Sequence, residues 1–208
     1  MIGVVDYGMG NLGSVANALA HLGVPMCVLR GPADMAACHA LILPGVGAFG
    51  DCLANLRDWG YVDPLREWLA ADRPLLGICL GLQLLCASSA ESPGVAGLGL
   101  VPVPVVKFAA SAEWKVPQIG WNRVRQVPGR SCPLFRDIPD GTYFYFVHSY
   151  YLPAAPGWAA GQTRYGVDYA SAICRGRIAA VQFHPEKSQQ AGLRLLKNFA
   201  DWCDAERP

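Results

Sequence analysis

Residues 75–85 read LLGICLGLQLL, a strand-like apolar run that passes through GICLG (77–81) directly into a helix-like run. This G-x-C-x-G pattern has the form of a nucleophile elbow in which Cys replaces the more familiar Ser. Glycines two residues to either side of Cys79 allow the sharp turn that lifts its thiol above the carboxyl edge of a sheet. We therefore predict that Cys79 is a nucleophile and that the N–H of Leu80 meets an oxyanion. The alternative is a buried structural cysteine.

Strands and helices alternate around this elbow in the first half of the chain. Strands this apolar, alternating with helices, favour a parallel sheet that is covered on both faces. From about residue 98, alternating and aromatic runs separated by Pro and Gly predict an antiparallel or mixed extension of the same core. The predicted strands are 2–6, 24–30, 39–43 and 74–78, and the predicted helices are 11–22, 51–58, 62–71, 80–90 and 188–203.

Composition restricts the classes of protein to which the chain can belong. Its 208 residues carry a net charge of +1 with no basic block, which argues against nucleic acid and anionic membrane as partners. The apolar runs are shorter than the roughly 18–20 residues of a membrane span. No basic leader precedes the first strand, so we expect a cytoplasmic protein. The eight cysteines are scattered without a C-x-x-C pair, which argues against a disulfide framework.

A thiol nucleophile needs a proton-transfer partner, and His184 is the best candidate among the four histidines. It stands at the end of the run AAVQFHPEKS, where Pro185 prevents the strand from continuing. The i, i+2 spacing lets Glu186 hold one imidazole nitrogen while the other faces Cys79. His148, in FVHSYY, is either structural or part of the same site.

Two glycine-rich stretches follow predicted strands. PGVG (44–47) lies after the third strand, at the edge where the elbow emerges, and can turn N–H groups toward an oxyanion. Gly8, Gly10 and Gly13 spell G-x-G-x-x-G, which by itself is a weak signal for a dinucleotide and also fits a turn that needs glycine for steric reasons.

Together these motifs resemble those of class I glutamine amidotransferases, which carry G-I-C-L-G, a distal H-P-E and an upstream P-G-x-G in this order. The segments DYGMGN (6–11), KVPQIGWN (115–122) and YFVHSY (145–150) narrow the resemblance to the glutaminase-subunit family of imidazole glycerol phosphate synthase. Gln118 departs from the pattern, because that family usually has His there. The resemblance implies a flavodoxin-like α/β fold over a single domain, 1–208, with a mostly parallel central sheet, flanking helices and an antiparallel extension.

The resemblance also implies the chemistry. Glutamine would be hydrolysed to glutamate and ammonia, and a (β/α)₈ cyclase subunit, held as a heterodimer, would use the ammonia in histidine biosynthesis. No cofactor and no metal are implied, so the opening glycines would only shape a turn. The implied catalytic residues are Cys79, His184 and Glu186, the oxyanion backbone is Gly45, Val46, Gly47 and Leu80, and the substrate-binding residues are Gln83, Glu91, His148, Ser149 and Tyr150.

Three other functions remain open from the sequence. The same glutaminase chemistry could serve another synthase, such as anthranilate or pyridoxal phosphate synthase. A stand-alone cysteine hydrolase on a similar fold would act on peptides or esters without a partner. A binding module with an inert Cys79 would perform no chemistry.

Overall fold

The computed structural model describes residues 1–205. In the first half, strands and helices alternate as predicted, with a 3-10 turn at Pro32–Ala37. The elements are β1 (Ile2–Val5), α1 (Leu12–His21), β2 (Met26–Leu29), β3 (Ala40–Gly45), α2 (Phe49–Asp58), α3 (Val62–Ala70), β4 (Leu75–Cys79) and α4 (Leu80–Leu84).

The second half is mainly strand, with two further 3-10 turns at Pro133–Phe135 and Pro185–Lys187. A long helix closes the described part of the chain. The elements are β5 (Val106–Lys107), β6 (Gln118–Gln126), β7 (Thr142–His148), β8 (Tyr150–Tyr151), β9 (Ala159–Tyr165), β10 (Val167–Arg175), β11 (Ile178–Val181) and α5 (Gln189–Ala205).

Within the described residues, nine strands form one sheet in the order β2-β1-β3-β4-β11-β10-β9-β6-β7. The five strands from β2 to β11 are parallel, and the following four pairs are antiparallel. The predicted mixed α/β fold is therefore confirmed. Strand β11 comes from the second half of the chain but lies parallel to β4, with Val181 opposite Ile78. The carboxyl ends of these two strands consequently meet at one edge.

Apolar side chains cover both faces of the sheet. Helices α2, α3 and α4 pack on one face through residues such as Leu53, Trp68 and Leu82. Helices α1 and α5 pack on the other face through residues such as Leu19 and Phe199. This two-sided cover explains why the parallel strands are apolar throughout. No helix among residues 1–205 has the length and apolar character required to cross a membrane.

The main departures from the predicted bounds concern α4 and the loop before α2. Helix α4 ends at Leu84, so the helix predicted over 80–90 is wrong beyond that point. Residues 86–90 instead pair with the segment 101–105: the N–H of Ala87 donates to the Val103 carbonyl at 3.4 Å, and that of Ala90 to the Val105 carbonyl at 2.9 Å. The glycine-rich loop predicted over 44–50 is also shorter, because β3 continues to Gly45 and α2 begins at Phe49.

Candidate active site

Cys79 occupies a strained turn between β4 and α4. Its backbone has φ 55° and ψ −110°, a conformation that is costly for a residue other than glycine. The flanking glycines are required by close packing, since a Cβ on Gly81 would lie 1.9 Å from the carbonyl oxygen of Leu43. A Cβ on Gly77 would lie 2.9 Å from the Cβ of Ala180. The predicted elbow is therefore present, and its glycines let α4 start against the neighbouring strands.

His184 follows β11, the strand beside β4. Its backbone N–H donates to the carbonyl of Tyr145 at 2.9 Å, and its own carbonyl accepts from the Ser188 hydroxyl at 2.6 Å. The 3-10 turn after it brings Glu186 back toward the ring, so that Oε1 lies 2.7 Å from Nδ1 of His184. Both side chains are buried, with 3% of the His184 side chain and 0% of the Glu186 side chain exposed. The i, i+2 spacing was predicted to bring the imidazole and the carboxylate together, and the structure shows this contact.

The imidazole of His184 also forms a hydrogen bond with the Cys79 side chain. Burial by itself lowers the pKa of His184, but its hydrogen bonds with Cys79 and Glu186, together with their charges, raise that pKa to about 10. The protonated imidazole is therefore favoured at neutral pH. The structure thus brings together the three side chains that the sequence nominated as a triad.

A cavity of about 330 Å³ opens in front of Cys79. Ten of the predicted site residues line it, and Pro117 and Val147 complete the wall. Gly45 and Glu186 are not part of the lining; Gly45 packs behind it and Glu186 lies behind the imidazole. The ten predicted residues are Val46, Gly47, Cys79, Leu80, Gln83, Glu91, His148, Ser149, Tyr150 and His184.

The glycine-rich turn after β3 forms one side of this cavity. Gly45 is packed so closely that a Cβ there would lie 2.9 Å from the Cβ of Leu80. Gly47 adopts φ +94°, which favours glycine. The buried Tyr7 hydroxyl donates to the Pro44 carbonyl at 2.8 Å and thereby fixes the start of the turn. Tyr7 was not predicted as a site residue; its place directly after an apolar strand was the available signal.

Gln83 and Glu91 line the cavity while making structural contacts. Nε2 of Gln83 donates to the carbonyl of Tyr150 at 3.0 Å. Oε2 of Glu91 accepts the N–H of Phe49 at 2.8 Å, at the first residue of α2. These bonds hold the 150–151 strand and the start of α2 against the elbow.

Comparison with known proteins places this arrangement in a family. A protein-family model described as Glutamine amidotransferase class-I matches residues 3–202. The chain belongs to the class-I glutamine amidotransferase family. A curated relative from Moorella thermoacetica, named imidazole glycerol phosphate synthase subunit HisH, is 52% identical over 96% of this chain and 94% of the relative. A protein of the same name from Chloroflexus aurantiacus is 45% identical over 100% of this chain and 99% of the relative.

Solved structures with low identity share the fold. A crystal structure titled glutamine amidotransferase has a TM-score of 0.74 and 20% identity, and covers 98% of each chain. The structure of PurLQS from Thermotoga maritima has a TM-score of 0.74 and 16% identity, and covers 97% of each chain. These similarities establish the glutamine amidotransferase fold for this chain.

Two further residues at the candidate site were missed from the sequence. Gln182, fully buried at the end of the β11 region, accepts from Gln83 at 2.9 Å, and its Nε2 lies 3.8 Å from the sulfur of Cys79. A polar residue inside the apolar run AAVQF was the available signal. Asn11 donates to Oε1 of Glu186 at 3.4 Å; it belongs to the DYGMGN motif, in which the sequence indicated no role for it.

The opening glycines of this amidotransferase make a turn. Gly8 and Gly10 have φ values of +77° and +147°, whereas Gly13 lies in α1 and a Cβ there would meet nothing within 4 Å. The turn carries Asn11 to Glu186. Among residues 1–205, no three His, Cys, Asp or Glu side chains are grouped so as to hold a metal ion.

Proposed function

We propose that this chain is the glutaminase subunit of an imidazole glycerol phosphate synthase, working as a single amidotransferase domain over residues 1–208. The observation that carries the proposal is the Cys79–His184–Glu186 array at a cavity. Identity of 52% to a HisH subunit over nearly the whole chain supports this assignment over the anthranilate and pyridoxal phosphate synthases. The cytoplasmic location expected from the sequence stays a prediction.

The chemistry follows from the charges of the array. The sulfur of Cys79 attacks the carboxamide carbon of glutamine and forms a tetrahedral intermediate. The imidazolium of His184 gives its proton to the leaving nitrogen, so that the C–N bond breaks, ammonia departs and a thioester remains. Water then attacks the thioester, and His184 takes a proton from it while glutamate and the thiolate are released. Glu186 holds the imidazole in orientation and stabilises its charged form.

Backbone and side chains of the cavity wall complete this assignment. The N–H of Leu80 and the turn of Gly45, Val46 and Gly47 would stabilise the oxyanion. Leu80, Val46 and Gly47 line the cavity together with Cys79, and Gly45 pairs with Cys79 across β3 and β4. Gln83, Glu91, His148, Ser149 and Tyr150 would bind the glutamine. They line a cavity that combines polar and apolar residues, a composition common in small-molecule sites.

A partner is required because ammonia released into water at neutral pH is protonated and loses its nucleophilic lone pair. The partner we propose is a (β/α)₈ cyclase subunit that receives the ammonia directly. A surface suited to it lies on β6 and β7, where Ile119, Trp121 and Tyr143 are 63%, 47% and 48% exposed. Exposed aromatic and aliphatic side chains on neighbouring strands are typical of protein interfaces. Gln118, next to Ile119, pairs with cavity residue His148 across the two strands.

The decisive experiment compares glutamine and ammonia as nitrogen sources in the complex with the cyclase subunit. Cys79→Ala should abolish glutamine-dependent synthesis of imidazole glycerol phosphate but leave ammonia-dependent synthesis intact. Cys86→Ala is the matched control, because Cys86 is a buried cysteine whose thiol donates to the carbonyl of Leu82 outside the cavity. Glutamine hydrolysis by the isolated subunit is measured in parallel.

Each outcome separates the proposal from its rivals. Loss of both activities in Cys79→Ala would assign Cys79 to folding or docking. Full turnover of peptides or esters without any partner would favour a stand-alone hydrolase. A diazo-ketone analogue of glutamine should alkylate Cys79 selectively, whereas equal reaction with the other cysteines would indicate an inert binding module.

A further inference from the structure

A chain of buried polar side chains connects β6 with the wall of the cavity. Oε1 of Gln118, the first residue of β6, lies 3.1 Å from the hydroxyl of Tyr169. The same hydroxyl lies 3.2 Å from Nε2 of His148. Nδ1 of His148 lies 2.8 Å from the carbonyl oxygen of Tyr150. Because the three side chains are buried, water does not compete for these hydrogen bonds.

The donor and the acceptor in each of these hydrogen bonds can be assigned. A carbonyl oxygen only accepts, so the contact with Tyr150 requires a hydrogen on Nδ1 of His148. Burial lowers the pKa of His148 to about 4, so its imidazole is neutral at neutral pH. Nε2 is then an acceptor, and the only donor it contacts is the hydroxyl of Tyr169 among the described residues.

Gln118 must therefore act as a donor. The single hydroxyl proton of Tyr169 goes to His148 and cannot also serve the Gln118 oxygen. Within residues 1–205, Nε2 of Gln118 is buried without a hydrogen-bond partner. A half-turn of the amide about its last side-chain bond brings this N–H group to the Tyr169 oxygen. Gln118 then donates to Tyr169, Tyr169 to His148, and His148 to the Tyr150 carbonyl.

The far end of the chain reaches the nucleophile. The Tyr150 carbonyl accepts a second hydrogen bond from Nε2 of Gln83 at 3.0 Å. Gln83 also donates to Gln182 at 2.9 Å, and Gln182 in turn lies 3.8 Å from the Cys79 sulfur. Both acceptor positions of the Tyr150 carbonyl are thus occupied, and this wall segment cannot shift without breaking buried hydrogen bonds.

We propose that Gln118 and Tyr169 are positioning residues that act through His148 to hold the Tyr150 segment in the geometry that binds glutamine. Neither residue lines the cavity, so neither touches the substrate. The inference rests on the proposed glutaminase function of this cavity. The relay formed by Gln118, Tyr169 and His148 contacts the Tyr150 carbonyl, whereas the sulfur is contacted by Gln182. Loss of the relay therefore weakens substrate binding more than it slows bond cleavage.

The test uses the complex with the cyclase subunit and the variant Tyr169→Phe. Loss of one buried hydrogen bond should raise KM for glutamine about fivefold to tenfold, with kcat within about twofold of the wild type. Ammonia-dependent synthesis should not change. Gln118→Leu should raise KM less, because Tyr169 still donates to His148. Gln118→His keeps a donor and should stay within about twofold of the wild type.

Tyr61→Phe is the matched control. Tyr61 is fully buried like Tyr169, and its hydroxyl donates to the Leu29 carbonyl at 3.4 Å, outside the cavity and the relay. Its KM should equal that of the wild type. An unchanged KM in Tyr169→Phe would overturn the proposal. An equal loss of glutamine-dependent and ammonia-dependent activity with a lowered Tm would also overturn it, because that pattern reports general destabilisation.

A spectroscopic measurement separates this inference from the proposed function. ¹⁵N chemical shifts of His148 in the wild-type complex should report the neutral tautomer protonated at Nδ1. Protonation at Nε2 would overturn the relay whatever the enzyme activity. A wild-type complex that fails to hydrolyse glutamine would instead overturn the proposed function. The tautomer of His148 would still show whether the hydrogen bonds of the relay run in the proposed direction.

Discussion

Oε1 of Glu186 lies 2.7 Å from Nδ1 of His184, and both side chains are buried. A buried carboxylate is stable only when it is paired, and this carboxylate is paired with the imidazole that also bonds Cys79. Asn11 supplies a second donor to the same oxygen at 3.4 Å. The carboxylate therefore fixes both the orientation and the charge of His184.

Glu186→Gln tests this relationship. The amide is almost isosteric but has no charge, so the protonated imidazole loses part of its stabilisation and its fixed orientation. We expect kcat for glutamine hydrolysis to fall by about 10²-fold or more. Ammonia-dependent synthesis by the complex should be unchanged. Glutamine hydrolysis at the wild-type rate would show that Glu186 does not act on His184.

Gly81→Ala tests the packing of the elbow. The added Cβ would lie 1.9 Å from the Leu43 carbonyl oxygen, so α4 must move away from β3. We expect a loss of about 3 kcal/mol or more in the free energy of unfolding, measured by urea denaturation.

Gly13→Ala is the matched control for that variant. Gly13 lies in α1, its φ is not positive, and an added methyl group there would have no neighbouring atom within 4 Å. Stability should be unchanged or rise by up to about 1 kcal/mol, because alanine favours the helix. A large loss of stability in Gly13→Ala would show that the third glycine of the opening motif has a role beyond the turn.

The two buried histidines affect the pH dependence of stability in opposite ways: His148 lowers stability at acid pH, and His184 lowers it at alkaline pH. The pKa of His148 is about 4 in the native state, below its ordinary value of 6.5, so only the unfolded chain takes up this proton as the pH falls. Stability contributed by neutral His148 is therefore lost between pH 6.5 and 4, by about 2 kcal/mol at pH 5. His148→Gln should flatten this acid limb in urea denaturation; parallel curves for the two proteins would contradict the assignment.

His184 has the opposite sign. Its native pKa of about 10 exceeds the ordinary value of 6.5, so its contribution is complete below pH 6.5 and is lost as the pH rises toward 10. His184→Gln should therefore remove part of the alkaline limb and leave the acid limb in place. Loss of the acid limb instead would contradict this assignment.

Trp121→Ala tests the proposed partner surface. Removal of an exposed indole from the centre of an interface should weaken binding of the cyclase subunit about tenfold or more, measured by calorimetry. Val28→Ala is the control, since Val28 is 41% exposed on β2 at the opposite edge of the sheet. Equal affinities of the wild type and Trp121→Ala for the cyclase subunit would show that the interface does not lie on β6 and β7.

Local features of the sequence were sufficient to predict much of this protein. Apolar runs alternating with helices indicated the parallel half of the sheet, because a strand covered on both faces has no polar side. The GICLG turn was predictable because its glycines meet a local steric need. The motifs placed Cys79, His184 and Glu186 at strand ends, and hence at one edge of the sheet. The helix predicted beyond Leu84 failed because the backbone of residues 86–90 pairs with the later segment 101–105, a contact that no local pattern shows.

Tertiary structure alone decided how distant strands meet. Gln182 reaches Cys79 across 103 positions because β11 inserts beside β4, and no local pattern specifies that pairing. The contact of Asn11 with Glu186 and the relay from Gln118 through Tyr169 arise in the same way. Each depends on side chains from separate strands or turns that share one buried space. The sequence determined which chemical groups were available, and the packing of the sheet determined which of them bond one another.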